Sequence, residues 1–183
     1  IQNSDTLVHL GNTALVTGRD ARLYAGDLTT NINWAGGIAG GESLGVGFSL
    51  AINEINRKTR AIIGDDPDLP ASGSNALASG KSIDVSGVVD VLAKDDGDLW
   101  SFSLSGAAAV ALNKNFAVAG VAAGSFNRIQ SEARALVDSS SVHAAGGLFL
   151  NATDTTKIVA ITGGGAVALS AGSGTQVGVA IGL

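Results

Sequence analysis

The residues of this chain that could do chemistry are few, and the densest group of them is acidic. Asp95, Asp96 and Asp98 surround Gly97 in the segment KDDGD. Carboxylate oxygens spaced along a glycine-containing turn are the hard ligands that Ca²⁺ prefers, although Asp is also favoured in a plain solvated turn. We therefore predict a turn at residues 94–98 and name Asp95, Asp96 and Asp98 as the candidate calcium ligands.

A second acidic group and two histidines are the remaining candidates for a site. Asp65, Asp66 and Asp68 open a segment rich in Pro, Ser, Asn and Gly, and the same two interpretations apply to them. His9 and His143 each follow a valine, so an internal repeat explains them more simply than an acid–base pair does. Because these residues supply no assembly of nucleophile, base and orienting group, we expect no enzymatic activity and no cofactor other than calcium.

Three aromatic residues bear on a possible sugar site. Tyr24, Trp34 and Trp100 could stack on sugar rings if their side chains were exposed, but aromatic side chains in strands more often pack in a core. We expect all three to lie in the core. An exposed set of aromatics beside the segment at residues 65–81 would instead favour a carbohydrate-binding or carbohydrate-active β-helix that uses this segment as a loop, which is the alternative function.

The composition excludes several classes of partner. The chain has 183 residues and a net charge of −5, and it lacks the basic patch that a nucleic-acid backbone requires. It has no Cys, which excludes disulfides and thiol chemistry. No run of apolar residues reaches the length of about 18 that a spanning helix needs, so we predict no membrane span. Because the chain begins at Ile1 without a leader segment, we expect a processed product or a fragment.

The elements that must position these residues are β-strands. Residues 44–55, LGVGFSLAINEI, alternate large apolar side chains with Gly, Ser and Ala, and a period of two is that of a strand. Related stretches occupy residues 119–129 and 177–183. The chain contains 26 Gly and only 4% aromatic residues, so its backbones must approach closely. We expect both faces of such strands to be buried.

Three copies of one unit, each about 56 residues long, account for most of the chain. They span residues 8–63, 83–137 and 142–183, and the third copy is truncated. Residues 65–81 contain both prolines and many polar turn-forming residues, and they are predicted to be an inserted surface loop. The whole chain is therefore expected to be a single repeat-array domain.

The predicted fold is all-β, a parallel β-helix or solenoid built from about three such repeats. A repeat that cannot bury its own surface is stabilised by stacking on the next copy, and this chain has the small side chains that such stacking requires. A sandwich of long antiparallel hairpins is the alternative, because NKN at residues 113–115 would serve as a hairpin loop.

The third copy carries a resemblance to a known group of proteins. The segment SVHAAGGLFLNATDTTKIVAITGGGAVAL at residues 141–169, followed by VGVAIG, resembles the repeats of giant bacterial β-strand-repeat exoproteins. These include the leukotoxin-like filamentous adhesins and, more loosely, the β-helical passengers of filamentous haemagglutinins. The pattern covers nearly all of the chain except residues 65–81, and it is specific to a style of repeat and not to an activity.

The resemblance implies a structural or adhesive module of a secreted or cell-surface bacterial protein, forming a stiff β-rod or filament. It implies extracellular localisation and carries over no catalytic residue. The partners expected from it are other copies, through strand edges or end-to-end stacking, and a host receptor or glycan.

Overall fold

The computed structural model describes residues 1–11, 15–68, 82–112, 116–171 and 175–182. Every regular element in these ranges is a β-strand. In chain order the strands are β1 (Gln2–Leu10), β2 (Val16–Gly18), β3 (Ala21–Gly41), β4 (Leu44–Gly64), β5 (Ser82–Val85), β6 (Val88–Ala111), β7 (Phe116–Asp138), β8 (Ser141–Ala144), β9 (Gly147–Ser170) and β10 (Thr175–Gly182). In the same ranges, no helix is long and apolar enough to cross a membrane.

The strands form three sheets that the chain visits in turn. Sheet A has the order β1-β4-β7-β10, sheet B the order β2-β5-β8, and sheet C the order β3-β6-β9. Sheet A pairs in parallel at both ends, between β1 and β4 and between β7 and β10, and sheet B pairs in parallel throughout. A chain that returns to each sheet beside its previous strand is a parallel β-helix, so the predicted fold class is confirmed.

The antiparallel alternative is wrong, because consecutive long strands lie in different sheets. The strands β6 and β7, which would have formed the hairpin, belong to sheets C and A. The NKN segment at residues 113–115 lies outside the described residues. Sets β2–β4, β5–β7 and β8–β10 follow one another through the three sheets, while the boundaries assigned to the repeats from sequence stay a prediction.

One turn of the structure requires a glycine, and one turn predicted from the sequence is absent. Gly147, which starts β9, has a φ of 108°, a left-handed conformation that favours glycine. The turn predicted at residues 94–98 is wrong, since these residues lie inside β6. Asp96 and Asp98 are tolerated there on the outer side of the strand, and Asp95 is tolerated inside because it faces an arginine. The predicted loop at residues 65–81 is described only as far as Asp68.

The chain divides into two compact units. Unit 1 comprises Ile1–Thr29, Ile55–Gly97 and Ile129–Thr156, and unit 2 comprises Thr30–Glu54, Asp98–Arg128 and Lys157–Leu183. The core of unit 1 contains branched side chains of ordinary size, namely Leu23, Ala25, Ala61, Ile63, Ile83, Val85, Val89, Val91 and Ala93. The buried cluster of unit 2 contains only alanines and one valine, namely Ala107, Ala109, Ala111, Ala117, Ala119 and Val121.

Candidate interaction surface

The interior of unit 2 is too thin for large side chains. A Cβ atom built on Gly45 would overlap the carbonyl oxygen of Ala108, and one built on Gly47 would overlap that of Gly106. The backbones of sheets A and C are therefore in direct contact within this unit. Sheets that pack through ordinary side chains lie about 10 Å apart, and here the separation is smaller.

Small polar groups in the same interior hydrogen-bond to one another. Ser49 Oγ lies 2.7 Å from Ser103 Oγ, linking β4 to β6. Asn53 Nδ2 donates to Ser101 Oγ at 3.0 Å and to Asn127 Oδ1 at 2.7 Å. The bonds to Ser103 and Ser101 join sheets A and C, and the bond to Asn127 joins two strands of sheet A. Together they fix the register of these strands where little apolar packing is available to do so.

The large apolar side chains of these strands consequently point outward. Val46, Phe48, Leu50 and Ile52 on β4 are all exposed, Phe48 to 65% of its surface. The expectation that both faces of residues 44–55 are buried is therefore wrong. A strand with one large and one tiny face can turn either face inward, and the close approach of the two backbones admits only the tiny one.

The outer side of sheet C in unit 2, which we call the C face, carries eight large exposed apolar side chains among the described residues. Trp34 is 71% exposed and Ile38 is 94% exposed. The other large exposed apolar residues of the C face are Ile32 on β3, Leu104 and Val110 on β6, and Ile161, Val167 and Leu169 on β9. Soluble monomers rarely expose a continuous apolar patch larger than a few hundred Å², so this surface calls for a functional explanation.

Aromatic rings make specific contacts at one end of the C face. The rings of Trp34 and Phe102 stack with their centroids 4.3 Å apart and an interplanar angle of 17°. Lys157 Nζ lies 5.5 Å from the ring centroid of Trp100, which is within range of a cation–π contact. The prediction that Trp34 and Tyr24 lie in the core is wrong, since both are more than half exposed.

A shallow apolar groove crosses the C face beside Ile38. It has a volume of about 600 Å³ and is lined by Gly36, Gly37, Ile38, Leu104, Ser105 and Gly106. Its floor is low because glycines at neighbouring positions of β3 and β6 present no side chain, and its walls are the aliphatic side chains of Ile38 and Leu104.

The outer side of sheet A in unit 2, the A face, is also apolar. A ridge of large side chains on β4 runs beside a row on β7 that includes Gly120, Ala122 and Gly124. The side chain of Leu50 leans across the boundary and would lie 3.4 Å from a Cβ built on Gly124. At one end of the A face, Arg128 Nη1 lies 3.8 Å from Glu54 Oε1, so its charges are paired.

Unit 1 presents a polar groove where unit 2 presents apolar faces. This groove has a volume of about 440 Å³ and is lined by Asn3, Ser4, Asn56, Arg57, Lys58, Gln130, Ser131 and Glu132. Asn56 Nδ2 donates to Asn3 Oδ1 at 3.1 Å. Amide, hydroxyl and charged groups on three neighbouring strands of sheet A are suited to a hydroxyl-rich ligand.

A polar pair bridges sheets A and C in each coil of unit 1. Ser4 Oγ donates to Asp27 Oδ2 at 2.5 Å in the first coil. In the second, Arg57 Nη1 lies 2.9 Å from Asp95 Oδ1, and both side chains are buried. In the third, Ser131 Oγ donates to Asp154 Oδ2.

Arg57 is the cation that acts on two of these acids, Asp95 and Asp27. It also donates to the Asp96 carbonyl oxygen at 3.0 Å and to Thr156 Oγ1 at 2.8 Å. Burial raises the pKa of Asp95 above its usual value, and the carboxylates of Asp154 and Asp27 add to the rise, while Arg57 opposes it. For Asp27 burial also acts to raise the pKa, but hydrogen bonds from Ser4 and Thr29 and the charge of Arg57 lower it below the usual value.

The structure does not bring the three candidate calcium ligands together. Asp95 points into unit 1 toward Arg57, Asp96 accepts a hydrogen bond from Lys94 at 3.0 Å on the outside, and Asp98 belongs to unit 2. Within the described ranges, no group of three or more His, Cys, Asp or Glu side chains is arranged to hold a metal ion. Calcium binding at Asp95, Asp96 and Asp98 stays a prediction.

The second acidic group surrounds an arginine. Arg60 Nη1 donates to both carboxylate oxygens of Asp66, at 3.1 and 3.0 Å, and to Asp68 Oδ2 at 3.2 Å. Its Nη2 donates to Asp5 Oδ1 and Oδ2 at 3.1 and 3.0 Å. These contacts hold Asp66 and Asp68 against the outer side of β4, where Arg60 and Ile62 are both buried.

The two histidines lie in unlike surroundings. His9 Nε2 lies 2.6 Å from the Gly64 carbonyl oxygen, whereas His143 Nδ1 lies 3.1 Å from Asp84 Oδ1 on the exposed side of sheet B. Asp84 and His143 are register partners in β5 and β8 of sheet B, whereas His9 lies on β1 of sheet A.

The residues of the C face were missed from sequence because the alternation of large and tiny side chains does not say which face is inside. One signal was available: glycines at matching spacings on strands that face each other leave no volume for the larger residues. Comparison with known proteins found no matching family model, no matching curated protein and no matching solved structure.

Proposed function

We propose that this chain is a structural and adhesive repeat module of a secreted or cell-surface protein, acting without catalysis as part of a stiff β-rod or filament. The observation that carries the proposal is the reversed arrangement of unit 2, which places its large apolar side chains on the outside and its Gly, Ala and Ser on the inside. Such an arrangement contributes little to a core but presents two apolar faces to a partner.

The rod is supported by the strand geometry. Five strands are 21 to 24 residues long, well above the usual length of about 5 to 6 residues. Long strands that pair with those of the previous coil give each coil an extended contact with its neighbour, and such stacking is what stabilises a repeat array. Export and surface display rest on the resemblance of residues 141–169 to bacterial exoprotein repeats.

Adsorption to an apolar matrix tests the adhesive role. The chain should be retained on octyl-agarose, and ammonium sulfate should strengthen the retention because it favours burial of apolar surface. Phe48→Lys on the A face combined with Trp34→Lys on the C face should weaken retention about tenfold or more, since each places a charge in the apolar contact.

The matched control is Leu28→Lys, which alters a side chain of unit 1 that is 79% exposed. It should leave retention within about twofold of the unaltered chain, as a single exposed apolar residue outside the two faces contributes little. Equal loss in the control and the double variant, or no retention of the unaltered chain, would contradict the adhesive role.

A carbohydrate-binding β-helix is the second candidate, and the polar groove of unit 1 favours it. Amide groups from Asn3, Asn56 and Gln130 line one groove together with Lys58 and Glu132. Most of the loop first assigned to this role, residues 69–81, lies outside the described residues. Glycan-array binding that is lost in Asn56→Ala and kept in Leu28→Lys would support this candidate, and an array without any binding would reject it.

A further inference from the structure

We propose that the C face pairs with the C face of a second copy of this chain, giving a twofold-symmetric dimer in which Ile38 of each copy occupies the groove of the other. This inference rests on the proposed function, since it names the partner of one of the same two apolar faces. Three observations carry it: the area of the face, the distribution of its charges, and the position of its groove.

The area of the C face matches what a stable dimer needs. Eight large apolar side chains of the described residues are exposed there, by 41% to 94%. Taking about 200 Å² for the tryptophan and about 100 Å² for each aliphatic side chain when fully exposed, they present about 500 Å² of apolar surface. A typical specific interface buries about 800 Å² on each partner, of which about 60% is apolar, so one C face supplies about the apolar area that such an interface buries.

The charges of the C face favour an uncharged partner. In the described part of this face the charged side chains are Asp98 and Lys157, and both lie where unit 2 begins along its strands. The remainder of the face carries no charge that a partner would have to neutralise. A twofold axis through the middle of the face would place these charges at the two opposite rims, where they stay in water, as in most protein interfaces.

The groove and the residue that would fill it lie on the same patch. Ile38 is 94% exposed and forms one wall of the groove, whose floor is Gly36 and Gly106. A twofold interface is self-complementary, so each copy must offer both a projection and a recess close to the axis. The side chain of Ile38 entering the partner's recess between Gly36 and Leu104 satisfies this condition on both sides at once.

Sedimentation velocity tests the dimer. The chain, 18.1 kDa as a monomer, should sediment as a dimer at concentrations well above about 1 μM. Ile38→Lys should give a monomer, weakening association about a hundredfold or more, because two lysines would be buried near the axis without a partner. Val46→Lys makes the same chemical change on the A face and should leave the dimer intact.

Disulfide trapping gives a second readout that does not depend on a charged variant. The chain has no Cys, so any disulfide formed by single-cysteine variants must join the introduced cysteines. Oxidation of a mixture of Ile38→Cys and Leu104→Cys should produce the crossed heterodimer, whereas a mixture of Val46→Cys and Leu104→Cys should not.

The outcomes separate the dimer from the adhesive role. A monomer at all concentrations, a dimer lost in Val46→Lys and kept in Ile38→Lys, or aggregation insensitive to both variants would overturn the C-face dimer. If the chain is monomeric yet is retained on octyl-agarose through its apolar faces, the adhesive role survives and the dimer does not. If retention fails as well, both proposals fail.

Discussion

Unit 1 and unit 2 share the same long strands of sheets A and C, yet they use their side chains in opposite ways. Unit 1 buries Ile, Val and Leu between its sheets and places charged groups along its outer faces and around Arg57 and Arg60. Unit 2 buries Ala, Gly and Ser and places Phe, Trp, Ile and Leu outside. The contrast shows that the same β-helical architecture can bury either its large or its small side chains.

The physical reason for the contrast is the separation of the sheets. Sheet B contributes to unit 1 only, through β2, β5 and β8, so the coil there has a third side and room for branched residues. In unit 2 the chain passes between sheets A and C, and the glycines at positions 45 and 47 bring their backbones into contact. Apart from Leu99 and Val121, the buried apolar residues described in unit 2 are therefore all alanines.

The largest effect is expected on removing Arg57 from the interior of unit 1. Arg57→Met removes the cation beside Asp95 and Asp27 of unit 1 and should lower the free energy of unfolding by about 3–5 kcal/mol, measured by urea denaturation. Arg19→Met removes an ion pair with Asp20 in which the arginine is almost fully exposed, and it should have no measurable effect. Equal effects of the two substitutions would contradict the buried ion pair.

A comparison of two isoleucines should show the next largest difference. Ile63→Ala removes a side chain that is 2% exposed in the core of unit 1 and should cost about 3 kcal/mol. Ile38→Ala on the C face should cost about 0.5 kcal/mol or less in the monomer. Urea denaturation at low protein concentration, where any dimer is dissociated, measures both, and a similar loss at the two sites would remove the contrast.

Enlarging a tiny interior residue of unit 2 should cost about 2–3 kcal/mol. Gly47→Val places two methyl groups against the backbone of β6 and forces sheets A and C apart. Val46→Ile enlarges the neighbouring outward side chain and should change stability by less than about 0.5 kcal/mol. Thermal unfolding of the two variants checks the difference, and equal tolerance would mean that the sheets of unit 2 are not in contact.

The smallest expected effect is a pH dependence of the free energy of unfolding that is due to Asp95. Because its pKa is raised on folding, the stability that this group contributes is present below its ordinary pKa of about 4 and is lost as pH rises through the folded value. Asp95→Asn mimics the protonated form, and Arg57 keeps Asp27 nearby.

The substitution at Asp95 should therefore be neutral near pH 3 and should raise the free energy of unfolding, relative to the unaltered chain, at pH 7. Urea denaturation across this range measures the change. A variant that becomes less stable than the unaltered chain as pH rises would show that Arg57 lowers the pKa of Asp95 instead.

The sequence allowed the architecture to be predicted more fully than the surface. The period of two, the recurrence of one strand and the scarcity of large side chains were sufficient for a parallel β-helix of about three repeats. They could not say that Phe48 points outward, because alternation defines two faces without assigning the inside. That assignment depends on which backbone lies opposite Gly45 and Gly47, a contact between residues about 60 positions apart.

The prediction of a turn at residues 94–98 was wrong for a related reason. Asp95, Asp96 and Gly97 have low strand propensity, and local sequence alone favours a turn. The strand is maintained by Arg57, which lies 2.9 Å from Asp95 and donates to the Asp96 carbonyl oxygen. Arg57 comes close to the aspartates only because the coils of the β-helix stack, and local strand propensity carries no information about that stacking.

Cysteine labelling at two adjacent positions of β4 tests the central claim most directly. Phe48 is 65% exposed and Ser49 is 4% exposed, and the chain has no other Cys to interfere. Under native conditions a maleimide should modify Phe48→Cys rapidly and Ser49→Cys at least about a hundredfold more slowly, since the latter reacts only when the fold opens. Rapid labelling at position 49 with protection at position 48 would show that the large side chains of unit 2 point inward, and would contradict the account.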